Sequence, residues 1–213
     1  MFNTSNYHQI LRELAPQQAT LVAVSKLKSI EDILSAYQEG LRDFGENYVQ
    51  ELCSKQLELP HDIRWHFIGH LQSNKVKYIA PFVHLIQGVD SIKLLKEINK
   101  QATRNNRIIK CLLQVHIATE ETKFGFNEEE ILQINPSLYP HINICGVMGM
   151  ASYSNDTTLV KNEFLYLKSL YDRLKTTHQE ISILSMGMSG DYKIAISVGS
   201  NMVRIGSLIF GNR

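Results

Sequence analysis

Eight short apolar runs, each followed by a longer amphipathic stretch, punctuate this sequence almost from end to end. They cover residues 21–25, 42–45, 65–69, 84–89, 111–117, 144–148, 183–186 and 202–205. Continuous apolar strands that alternate with helices imply a parallel sheet whose faces are covered. The intervening stretches carry helical periodicity: Ile30, Ile33, Leu34 and Tyr37 recur at the spacing of one helix face, as do Leu94, Leu95, Ile98 and Ala102. Helix starts are marked by Ser29 with Asp32 three residues on, by Asn127 before three glutamates, and by Asp156 before a helix carrying Leu167, Leu170, Tyr171 and Leu174. Eight strand–helix units in 213 residues predict closure into a single (β/α)8 TIM barrel of the α/β class, at the compact end of the barrel range. An extra amphipathic helix over 7–14 precedes the first strand. No linker-like composition divides the chain, so residues 1–213 are expected to form one domain.

Charge and cysteine content narrow the functional classes. Lys and Arg number 22 against 21 Asp and Glu, with no block of like charge, so a nucleic-acid partner is not expected. Cys53, Cys111 and Cys145 are odd in number and far apart, which argues for a reducing compartment. The N-terminus lacks a secretory pattern and no apolar run is long enough to span a bilayer. A cytoplasmic protein that does not bind membranes is expected.

Barrels of this kind place reactive groups at the C-terminal ends of their strands. Those positions hold Lys26, Asn47, His70, Asp90 or Ser91, Thr119, Met150, Ser189 and Gly206. Strand alternation puts Val22, Val24 and Lys26 on one face. If the valines point into the barrel, Lys26 points into its mouth, where a partly desolvated amine is a candidate Schiff-base former. From position alone an ordinary solvated lysine is the commoner case. Arg204 interrupts the last apolar run, and a buried guanidinium needs a partner. It either faces a ligand at the mouth or pairs with a carboxylate at the barrel floor. Gly206 and Ser207 open a turn whose N–H groups suit a phosphate, with Ser189 and Gly190 as the adjoining wall. His66 and His70 lie four apart without the glutamate of a zinc protease, and no cysteine pair has zinc-ligand spacing, so no metal is expected.

Leu21-Val22-Ala23-Val24-Ser25-Lys26 resembles the opening strand and cofactor lysine of the pyridoxal phosphate homeostasis proteins, which are similar to the N-terminal barrel of alanine racemase. Four further segments, at 44–51, 65–75, 184–189 and 203–206, agree in order with that family. The resemblance implies an intracellular carrier or buffer of pyridoxal 5′-phosphate rather than an enzyme of robust turnover. It implies an aldimine on Lys26, Arg204 facing the pyridine nitrogen, and Ser189, Gly206 and Ser207 around the phosphate. Asn47 is a further candidate cofactor contact. A monomer is expected, with apoenzymes that depend on pyridoxal phosphate as the recipients it would supply. A minimal amino-acid racemase on the same barrel is the alternative, and a barrel that binds another phosphorylated metabolite is a third. The chain departs from the family pattern at Leu27-Lys28-Ser29, where Thr-Lys-Pro is usual, and at Asn201, where threonine is usual.

Overall fold

The eight apolar runs form a closed parallel barrel in which each strand pairs with its sequence neighbours and the last with the first. The computed structural model describes residues 1–119 and 124–211. Its strands are β1 (Thr20–Val24), β2 (Asp43–Glu46), β3 (Arg64–Phe67), β4 (Leu85–Val89), β5 (Ile109–Gln114), β6 (Ile142–Met148), β7 (Ile183–Ser185) and β8 (Met202–Ile205). The helices are α1 (Thr4–Leu14), α2 (Ile30–Gln38), α3 (Val49–Glu58), α4 (Val76–Ile79), α5 (Ile92–Arg104), α6 (Glu128–Leu132), α7 (Thr157–Thr177), α8 (Tyr192–Ser197) and α9 (Ser207–Phe210). All eight expected strands are present. The largest shift is β5, which ends three residues before the expected boundary, because Val115 leaves the ladder to bridge Phe126.

Strand parity sorts the core into two shells. Val22, Leu85, Leu112, Met148 and Met202 fill the barrel interior. Leu21, Ala23, Phe44, Trp65 and Phe67 point outward and pack beneath Ile33, Leu52, Leu95, Ile98, Phe164 and Leu167 of the helices. Phe164 is fully buried, so truncating it to alanine costs about 3–5 kcal/mol.

Local capping fixes where the helices begin. Ser29 Oγ accepts the Asp32 N–H at 3.2 Å, and Asp156 Oδ1 accepts those of Thr158 and Leu159. Asn127 and Glu130 form a reciprocal capping box. The extra helix α1 buries Tyr7, Ile10 and Leu14, and Asn6 Nδ2 donates to Leu208 O at 2.8 Å to tie it to α9. Among the described residues no helix is long and apolar enough to cross a membrane.

Candidate functional site

Beyond the C-terminal ends of β1, β7 and β8 lies a cavity of about 370 Å³ lined by Lys26, Ser189, Gly190, Arg204, Gly206 and Ser207, with Val24, Met188 and Gly211 completing the wall. That volume falls in the range of small-molecule sites, about 300–1,000 Å³. Lys26 reaches the wall because Val22 is an interior residue, so the side chain four positions on projects from the same face. Ser189 Oγ accepts the Gly206 N–H at 3.3 Å, which ties the turn after β7 to the turn after β8. A Cβ at Gly206 would stand 3.2 Å from Val24 Cβ and 3.3 Å from Val24 O, so a side chain there would crowd the strand that carries Lys26. Ser207 and Leu208 begin α9, so their N–H groups have no acceptor within the helix.

Arg204 is 3% exposed, yet no carboxylate of the described residues forms an ion pair with it within 4 Å. Nη1 donates to Ser185 Oγ at 2.6 Å and Nη2 to Gly149 O at 3.0 Å. Burial pulls its pKa down to about 10, against the attraction of Asp191, so it stays charged at neutral pH. Among the described residues no carboxylate at the barrel floor pairs with Arg204; Asp43, which lies there, is held by Arg64 at 2.7 and 2.5 Å. Burial alone would raise the Asp43 carboxyl, but hydrogen bonds from Arg64 and His66 outweigh it and hold the group well below the usual carboxylate range. A buried cation with no carboxylate of the described residues at ion-pair distance, lining a cavity that also holds an amine and a glycine turn, suits a ring with a hydrogen-bond-accepting nitrogen and a phosphate.

A file of polar side chains inside the barrel joins the two arginines. Guanidinium can only donate, so Ser185 Oγ accepts from Arg204 and passes its own proton to Gln87 Oε1 at 2.7 Å. Gln87 Nε2 then faces His66 Nδ1 at 3.0 Å, and His66 Nε2 donates to Asp43 Oδ1 at 3.0 Å. The polarity of this file assigns His66 the neutral tautomer with its proton on Nε2. Ser185, Gln87 and His66 are all buried. None was singled out from sequence as a cofactor residue, although each is a polar residue within an apolar run, on the same inward face as Arg204.

Asn47 and the histidine pair lie away from this wall. Asn47, one residue past β2, is outside the cavity wall, and its Oδ1 is buried without a hydrogen-bond partner among the described residues. The turn after β3 presses on it so closely that a Cβ at Gly69 would stand 2.6 Å from Asn47 O. His66 and His70 do not converge, since His66 is inside the barrel while His70 Nδ1 meets Asp90 Oδ2 at 2.7 Å and its ring stacks on Phe124.

A sequence model of the alanine racemase N-terminal domain matches residues 4–213. The pyridoxal phosphate homeostasis protein of Synechocystis is 37% identical over the whole of both chains. The chain belongs to the pyridoxal phosphate homeostasis protein family. The human member is 38% identical, across 95% of this chain and 79% of its own. PipY of Synechococcus elongatus, solved without pyridoxal phosphate, has a TM-score of 0.91 at 31% identity and covers 97% of this chain and 99% of its own. PipY with pyridoxal phosphate bound has a TM-score of 0.88 over the same shares. Alanine racemase of Bartonella henselae, at 18% identity and a TM-score of 0.72, shares the barrel across 95% of this chain and 56% of its own.

Placed in this fold, the departure at Asn201 is remote from the Gly206–Ser207 turn. Asn201 precedes β8, at the other end of the strand from Gly206, and its side chain accepts from Leu184 N at 2.7 Å and donates to Ser182 O at 2.6 Å. It joins β7 to β8 at the barrel floor.

Proposed function

We propose that this protein binds pyridoxal 5′-phosphate in the cavity at the mouth of the barrel, with Lys26 as the attachment amine, and acts as a cytoplasmic carrier of that cofactor. The observation that carries this reading is the buried Arg204 guanidinium, held directly by the neutral Ser185 and Gly149, in the same cavity as Lys26 and the Gly206–Ser207 turn. The PipY structure with pyridoxal phosphate bound supports the choice of ligand. When bound, the cofactor supplies a reactive aldehyde and an electron-withdrawing ring.

The residues present divide the work of holding it. Lys26 presents an amine from the end of β1. The Ser189 and Ser207 hydroxyls and the Ser207 and Leu208 N–H groups are donors available to a phosphate, with Gly206 giving the room for its approach, each charge-assisted contact contributing about 1.5–3 kcal/mol. Arg204 keeps its proton, so a pyridine nitrogen beside it stays unprotonated and the ring is a poor electron sink. That favours storage over turnover, with recipient apoenzymes as the destination of the cofactor and a monomer as the working unit.

Reduction with borohydride followed by peptide mapping tests the assignment: the pyridoxyl label is expected on the peptide containing Lys26. Incubating the loaded protein with L-alanine in heavy water tests the racemase alternative. Racemisation needs a second acid–base group on the opposite face of the α-carbon. Rapid Lys26-dependent formation of deuterated D-alanine would replace the carrier with an enzyme.

A further inference from the structure

Lys26 is joined to the chain by two peptide groups, and both are fastened to one ion pair on α3. Lys55 Nζ donates to Ser25 O at 2.8 Å, in the peptide ahead of Lys26. Glu51 Oε1 accepts the Leu27 N–H at 2.6 Å, in the peptide behind it. The same Glu51 oxygen accepts from Lys55 Nζ at 2.6 Å, closing a loop around the Lys26 backbone. Beneath the pair, Glu46 Oε1 accepts from Lys55 Nζ at 2.8 Å and from Ser25 Oγ at 2.6 Å. Lys55 is 5% exposed and Glu46 is fully buried.

Two features separate this arrangement from ordinary core packing. A buried ion pair is no better a source of stability than apolar side chains of the same volume, whereas apolar side chains could not hold a peptide C=O and a peptide N–H. The second feature is Leu27, whose φ is +60°. Side-chain-bearing residues avoid that left-handed conformation, leucine among them. The Leu27 side chain is 60% exposed, so packing gives it little reason to stay there. Two hydrogen bonds do: Lys28 N to Ser25 O at 3.0 Å closes the turn, and Leu27 N to Glu51 Oε1 anchors it to α3.

We propose that Glu51 and Lys55, seated on Glu46, are positioning residues for Lys26: they fix the two peptides that flank it and hold Leu27 left-handed, so that the amine enters the cavity already aimed. The proposal rests on Lys26 being the attachment residue. With its backbone fixed, Lys26 has only side-chain freedom to lose when cofactor attaches, which speeds attachment and strengthens it.

The test compares the parent protein with Glu51→Ala, Glu51→Gln, Lys55→Met and the double variant Glu51→Ala/Leu27→Asn. In cofactor-free protein, hydrogen exchange of the Leu27 amide should be slow in the parent and faster in Glu51→Ala. Pyridoxal phosphate attachment, followed by absorbance, should slow roughly 10-fold in Glu51→Ala and Lys55→Met, in line with loss of a charge-assisted hydrogen bond. Glu51→Gln, which retains an acceptor, should fall between them and the parent. Asparagine tolerates the left-handed region, so Leu27→Asn should restore part of the lost rate. Should Glu51→Ala fail to fold, Glu51→Gln and Lys55→Met carry the comparison. Unchanged Leu27 exchange, or lower thermal stability with an unchanged attachment rate, overturns the positioning role while leaving Lys26 as the attachment site. A borohydride label on a different lysine in the parent overturns the cofactor reading, and this proposal with it, whatever the exchange data show.

Discussion

Arg204 and Ser185 meet through a 2.6 Å hydrogen bond in which the guanidinium can only donate, and that single constraint orders the barrel interior. Ser185 must turn its own proton towards Gln87, and Gln87 its amide towards His66. Arg204 is thus held on its inner side by neutral groups, with its charge left for whatever enters the cavity.

Removing that charge should therefore separate stability from binding. Arg204→Met leaves no unpaired buried cation, so thermal unfolding should shift by no more than about 2 kcal/mol in either direction. Affinity for pyridoxal phosphate should fall about 10-fold or more, the value of one hydrogen bond to a charged group. Calorimetric unfolding alongside an absorbance titration checks both; unchanged affinity would place the pyridine nitrogen elsewhere.

Lys26→Ala should abolish borohydride-stable labelling. The side chain is only partly buried, so the substitution should alter stability by about 1 kcal/mol at most. Full labelling of another lysine in this variant would remove Lys26 from the attachment role.

The turn around Gly206 should discriminate by phosphate. Pyridoxal phosphate is expected to bind several kcal/mol more tightly than pyridoxal, because charge-assisted contacts contribute about 1.5–3 kcal/mol each. Ser189→Ala should reduce that difference and leave pyridoxal affinity nearly unchanged. Paired titrations with the two ligands measure it.

Acid should weaken the fold through His84. Burial, reinforced by the charge of Lys110, lowers its pKa to about 4. An unfolded histidine titrates near 6.5, so between about 6.5 and 4 the unfolded chain binds more protons and stability declines as pH falls. Asp43 acts in the same direction lower down: its stabilisation is present above the unfolded carboxylate pKa and disappears as that carboxylate protonates. His84→Gln should flatten the upper part of the profile by about 1 kcal/mol, since solvent contact screens the rest. Urea unfolding at pH 7, 5.5 and 4.5 provides the comparison, and a slope unchanged by the substitution would exclude His84 as its source.

The barrel was legible because parallel strands are buried on both faces and so appear as unbroken apolar runs. Alternation then carried Lys26 from the interior position of Val22 to the cavity wall, and the charge of Arg204 within such a run marked it as unusual. Asn47 was harder: its place at a strand end suggested the mouth, but side-chain direction past β2 depends on the close contact with Gly69, which no local pattern encodes. Asn201 suffered from its proximity in sequence to Gly206, since a strand separates the two along the barrel axis. The ion pair beneath Lys26 joins residues of β2 and α3 to the turn after β1, and only the folded chain brings those segments together.

The file from Arg204 to Asp43 also bears on how such a core changes through descent. Between its two ends, each member accepts from one neighbour and donates to the next, so replacing one alone leaves the groups on either side without their partners in the barrel interior. Ser185 cannot become alanine without stranding Gln87 Oε1, nor Gln87 become leucine without stranding His66 Nδ1. Positions 43, 66, 87 and 185 therefore accept concerted replacement more readily than the loss of any one member, whereas Arg204, at the end that opens on the cavity, can be exchanged alone.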